Sequence, residues 1–170
     1  MRITENRTYW PIGGGAVAVQ PGWFQGHKTA LLYINLGIGN APANYSLVMQ
    51  PVFEITGPQN DAYPGEGICL PQVPTPANLT VHEGDNATIQ VVENAKHGAA
   101  LFSCVDITFT NDMSKVAPVN ESNCHNDSAI QFAQVFSTAD LQAGAERRVS
   151  ARSVGAVTAA VLGVAAWVLL

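Results

Sequence analysis

Turn-forming clusters interrupt this chain so often that few regular elements longer than about ten residues can fit between them. GPQND (57–61), YPGEG (63–67), PTPAN (74–78) and HEGDN (82–86) each concentrate residues that favour turns. The segments between them alternate with a period of two. In 30–36, Ala30, Leu32, Ile34 and Leu36 share one face. In 100–110, Leu101, Ser103, Val105, Ile107 and Phe109 share one face, and Phe102, Cys104, Asp106 and Thr108 share the other. Residues 16–20 and 88–93 read as further strands. Residues 47–56 place Leu47, Met49, Phe53 and Ile55 together, and Pro51 calls for an edge position or a bulge there. The Gly13–Gly15 triplet precedes a strand and reads as a turn. Helical periodicity is weak, apart from a turn or two around residues 128–135. Short strands with glycine and proline turns predict an all-β fold, an antiparallel immunoglobulin-like β-sandwich.

A chain of 170 residues with 47% hydrophobic composition can bury one sizeable core. The sequence divides into a sandwich domain over 1–136, a polar linker over 137–153 and an apolar tail over 154–170. Residues 1–143 carry five Lys or Arg against twelve Asp or Glu, a balance of −7. Nonspecific nucleic-acid binding relies on basic residues neutralising phosphates, so nucleic acid is excluded as an expected partner.

The tail VGAVTAAVLGVAAWVLL is uncharged and short for a spanning helix. The polar spacer ERRVSARS precedes it, and before that come the small residues Ala143, Gly144 and Ala145. These are the parts of a GPI attachment signal, with cleavage expected near Ala143 and the mature protein lipid-anchored at the cell surface or wall. Six glycan acceptor patterns, at Asn6, Asn44, Asn78, Asn86, Asn120 and Asn126, agree with export and predict surface positions for those asparagines. Export also calls for an N-terminal signal peptide, and MRITENRTYW has no apolar stretch of that kind. The three cysteines, Cys69, Cys104 and Cys124, are an odd number for an oxidising compartment. Loss of an N-terminal piece that carried both a signal peptide and a fourth cysteine accounts for both observations. The disulfide pairing is open at this level.

Two side chains stand out chemically. Asp106 lies in mid-strand among apolar neighbours, where a carboxylate needs a hydrogen bond, a cation or solvent. It reads either as a solvent-facing aspartate or as a metal ligand. His27 is held just before the apolar run of 30–36 and reads either as a packing residue or as a ligand. His82 and His125 sit beside acceptor asparagines in loops, and His97 precedes a glycine at a strand entrance; these read as solvated loop residues. There is no close-spaced zinc pair, phosphate-cradling loop or nucleophile elbow.

NRTYWPIGGG near the start, the tryptophan-bearing turn before His27, NATIQVVENAKHGAALFSCVDITF over 86–109, the cysteine after it and the terminal anchor signal together resemble the fungal copper acquisition factor family. The resemblance covers about residues 6–135. It implies a GPI-anchored protein similar in fold to lytic polysaccharide monooxygenases. It also implies a copper site built from a leading histidine, whose amine and ring both bind, a second histidine and an aspartate on a later strand. His27 matches the second histidine and Asp106 the aspartate. The leading histidine has no counterpart in this chain. Imidazole nitrogen suits copper, and a nearby carboxylate would favour its oxidised form. The leading expectation is therefore non-catalytic copper capture or buffering at the fungal surface, with transfer to a membrane importer as the partner step. A copper-dependent polysaccharide monooxygenase is the first alternative, and an anchored wall glycoprotein with a degenerate metal site is the second.

Overall fold

The structure, a computed structural model, describes residues 6–21, 26, 27, 29–57 and 67–134. The GPI attachment region, the apolar tail and the aromatic pair Trp23 and Phe24 lie outside the described residues. No helix among the described residues is long and apolar enough to cross a membrane.

Among the described residues eight strands form two sheets: β1 (Thr8–Pro11), β2 (Gly15–Val19), β3 (Thr29–Ile38), β4 (Leu47–Thr56), β5 (Ile68–Val73), β6 (Asn86–Ala95), β7 (Ala100–Thr110) and β8 (Gln131–Gln134). The larger sheet has the order β1-β7-β6-β3-β4-β8, and β2 pairs with β5 in the smaller one. All pairings are antiparallel except β1 with β7. Val17 of β2 and Val73 of β5 share one apolar cluster with Ile34, Leu36, Ile89, Ile107 and Phe109 of the larger sheet. The two sheets therefore pack face to face, which is the β-sandwich expected from the turn spacing.

The alternation holds in detail. Ala30, Leu32, Ile34 and Leu36 are all buried in the core. Each fully buried aliphatic side chain contributes about 1.5–3 kcal/mol relative to exposure. Pro51 satisfies both expectations for its position. Among the described residues β8 pairs with Phe53–Thr56 of β4 and not with Pro51, and the β3–β4 register shifts beside it around Ile34 and Gln50. The Gly13–Gly15 stretch is a turn closed by Gly14 N–H donating to the Pro11 carbonyl at 3.0 Å.

Two features depart from the reading of the sequence, and the disulfide pairing left open there is resolved. Residues 131–134 form a strand rather than a helical turn, because they pair with Phe53–Thr56 and Phe132 stacks on Phe53 with ring centres 6.1 Å apart. β1 and β5, too short to show a period, exist through their partners. The disulfide joins Cys69 to Cys124, 55 residues apart, and leaves Cys104 as a thiol. Closing a loop of that length removes chain entropy worth about 4 kcal/mol from the unfolded state. The bridge ties the loop after β7 to β5, and there Asn126 Oδ1 accepts from the Cys69 backbone N–H at 2.8 Å.

Candidate functional site

His27 is placed by two hairpin elements. It sits two positions before Thr29, where β3 begins, and β3 pairs with β6 as far as Ala30 opposite Ala95. The turn leaving β6 is then strapped to the histidine segment, because Lys96 N–H lies 2.8 Å from the Thr29 carbonyl and 3.3 Å from that of Gly26. Gly26 has φ +86°, a conformation that favours glycine, and a Cβ there would come within 2.9 Å of His97 Cδ2. The His97 ring lies against this bare backbone. Its centre is 4.5 Å from that of His27, edge-on at 62°.

The third member is Glu93. Its Oε1 is 3.2 Å from His27 Nδ1, and both residues are buried, at 7% and 8% exposure respectively. An ionised carboxylate only accepts, so Nδ1 carries the proton in this pair and the neutral ring keeps its lone pair on Nε2. Metal-binding histidines are prepared in this way, with a carboxylate fixing the tautomer and raising ligand basicity. Glu93 follows Ala87, Ile89 and Val91 in the inward phase of β6. It borders an apolar cleft of about 560 Å³ together with Ile89, Val91, Val105 and Ile107. A carboxylate on a core-facing position requires a partner, and His27 supplies one.

Asp106 belongs elsewhere. Its Oδ1 accepts from the Thr88 hydroxyl at 2.6 Å, in the cross-strand pair Thr88–Asp106. On the same face, Gln90 Nε2 approaches Cys104 Sγ at 3.8 Å. Tyr45 completes this group. Its phenol is held above the usual tyrosine value, first by partial burial and then by the charge of Cys104 and Asp106, against a lowering hydrogen bond with Thr88.

The expectation that His27 and Asp106 converge is therefore corrected. Thr88 and Glu93 are five residues apart on β6, so they differ in parity and project from opposite faces of the sheet. The strand rise separates them by about 17 Å along β6. Asp106 meets its need for a partner with a hydrogen bond from Thr88 on the far face, whereas His27 turns to Glu93 and His97. Among the described residues, no group of three His, Cys, Asp or Glu side chains is placed to hold a metal ion. Copper nevertheless fits the donor chemistry of the His27 end, where one imidazole is already oriented and a second touches it.

The remaining candidates separate cleanly. His82 lies 3.5 Å from Asp85 and His125 Nδ1 lies 3.0 Å from the Glu121 carbonyl, both as exposed loop residues. Asn6, Asn44, Asn78, Asn120 and Asn126 are exposed. Asn86 departs from the expected surface position. It is half-buried, donates to Asn40 Oδ1 at 2.8 Å and accepts from the Thr108 hydroxyl at 2.6 Å. Glu93 escaped attention in the sequence, although its phase with Ala87, Ile89 and Val91 marks it as a carboxylate on a core face.

Comparison with known proteins converges on one group. Residues 2–129 match the family described as copper acquisition factor BIM1-like. A lytic polysaccharide monooxygenase-like protein X325 of Aspergillus fumigatus is 60% identical over 154 residues, covering 91% of this chain and 64% of the relative. A lytic polysaccharide monooxygenase-like protein of Emericella nidulans is 54% identical over 166 residues, covering 97% and 67%. The similarly named ham-7 protein of Neurospora crassa is 54% identical over 153 residues, covering 86% and 66%. The chain thus spans less than two thirds of the length of the Aspergillus relative.

Proposed function

The chain belongs to the BIM1-like copper acquisition factor family, and from that premise we propose that it binds copper through His27 and acts in copper capture or buffering at the fungal cell surface without turning over a substrate. The observation that carries this reading is the buried His27–Glu93 pair, in which Glu93 engages Nδ1 and Nε2 is the ring nitrogen that would bind the metal. Divalent copper tops the affinity order for nitrogen and oxygen donors, so an oriented imidazole needs few added donors to favour it. The negative Glu93 carboxylate behind the ring adds electron density to the ligand and favours the oxidised ion, the form least suited to meeting oxygen. In this proposal Glu93 takes the charge-supplying part that the resemblance assigns to Asp106. Transfer to a membrane copper importer is the further step that the family description suggests. The polar linker and apolar tail support a GPI anchor near Ala143, and the five exposed acceptor asparagines support glycosylation there rather than at Asn86.

Titration of Cu(II) into the secreted, processed protein tests the reading. Saturable binding at micromolar protein, lost in His27→Ala with the β-sheet circular dichroism retained, is the expected result. No binding by the wild type overturns it.

The names of the relatives favour a second reading, an oxidative enzyme acting on a polysaccharide. That reading requires oxidised oligosaccharides when the copper-loaded protein is given reductant and a wall polysaccharide. The proposal expects none above the level given by free copper. A third reading, an anchored wall glycoprotein with a degenerate site, expects wild-type copper uptake in cells carrying His27→Ala.

A further inference from the structure

We infer that His97 is a second copper-binding imidazole, so that His27 and His97 form a two-histidine site at the β6–β7 turn. This rests on the copper reading above and adds to it a ligand that lies outside the leading histidine, second histidine and aspartate implied by the family resemblance. A metal–imidazole bond of about 2.0 Å puts the ring centre roughly 3.1–3.2 Å from the ion. Two such rings on adjacent corners of a square then have centres about 4.5 Å apart, while tetrahedral corners give about 5.1 Å. The observed separation of His27 and His97 is 4.5 Å. That is the spacing of cis ligands in the square arrangement that Cu(II) prefers.

The position of His97 is also built rather than incidental. Glycine at 26 leaves the space that the His97 ring occupies, where a Cβ would approach Cδ2 to 2.9 Å. The straps from Lys96 to the carbonyls of Thr29 and Gly26 hold the turn over the histidine segment. Gly98, at φ +94°, lets the turn reverse directly after the ring. The two histidines differ usefully in exposure. His27 is buried against Glu93, whereas His97 is exposed. No hydrogen bond among the described residues engages a ring nitrogen of His97. An ion from solvent therefore meets the exposed imidazole first and the buried one, oriented by Glu93, second, which suits capture from dilute solution.

The test is Cu(II) titration of the 170-residue chain with pulsed EPR, which counts equatorial imidazoles by their remote nitrogens. Wild type should show two and His97→Ala one, with copper affinity lowered by about tenfold or more. His97 is exposed in a turn, so circular dichroism and the unfolding midpoint of that variant should match wild type. An unchanged imidazole count and affinity in His97→Ala, with binding lost in His27→Ala, would overturn the inference while leaving the copper reading in place. Absence of copper binding by the wild-type chain would overturn both.

Discussion

The two faces of the β6–β7 ladder each hold a carboxylate, Glu93 on β6 and Asp106 on β7, and they satisfy it in different ways. On the inner face Glu93 is buried and reaches across 66 residues of sequence to His27. On the outer face Asp106, half-exposed, accepts a hydrogen bond from the hydroxyl of its cross-strand neighbour Thr88. The first arrangement fixes an imidazole tautomer and leaves a nitrogen lone pair for a cation. The second uses an oxygen of the carboxylate in a local bond, and its charge adds to burial and Cys104 in holding the Tyr45 phenol above its usual value. A carboxylate in a strand is therefore informative about metal binding only when its partner is known.

That contrast can be broken most forcefully at Glu93. Its replacement by alanine leaves the buried His27 N–H without this acceptor and should cost about 3 kcal/mol in urea unfolding. Glu93→Gln keeps an acceptor oxygen for Nδ1 and should recover most of that loss. A cost near zero for Glu93→Ala would mean the pair is not a structural unit. Gly26→Ala should cost about 2 kcal/mol, because the residue takes a left-handed conformation and its Cβ would meet the His97 ring. Thr88→Val on the opposite face removes one hydrogen bond to a carboxylate that also reaches solvent, and about 1.5 kcal/mol is expected. Equal losses at Glu93 and Thr88 would erase the distinction between the two faces. The smallest effect is spectroscopic. Since Asp106 contributes to holding the Tyr45 phenol above its usual value, Asp106→Asn should move that titration part of the way down. Partial burial, the larger cause, should prevent full return. Ultraviolet titration of tyrosinate reads this directly.

The strand phases, the faces of β3 and β7 and the bulge-prone position of Pro51 were legible because period-two alternation is a local property of the chain. Asp106 was also read correctly as a carboxylate in need of a partner. Which partner it finds depends on the register of β6 against β7, and no local pattern states that register. The convergence of His27 with Asp106 was inferred from resemblance and fails on parity, since Thr88 and Glu93 fall on different sides of one strand. Glu93 was findable: alternation from Ala87 through Ile89 and Val91 carries it onto the core face, where an acidic side chain must be matched. The contact of His97 with His27 was not, because it needs the β6–β7 turn folded back onto Gly26 across some seventy residues. The strand at 131–134 was missed for a related reason, as its pairing to β4 and the Phe53–Phe132 stack lie outside any sequence window.

Copper affinity measured side by side for Asp106→Ala and His27→Ala tests the central claim most directly. The account predicts that Asp106→Ala binds Cu(II) as wild type does and that His27→Ala does not bind at micromolar protein. A loss in Asp106→Ala as large as that in His27→Ala, with both variants folded, would contradict it.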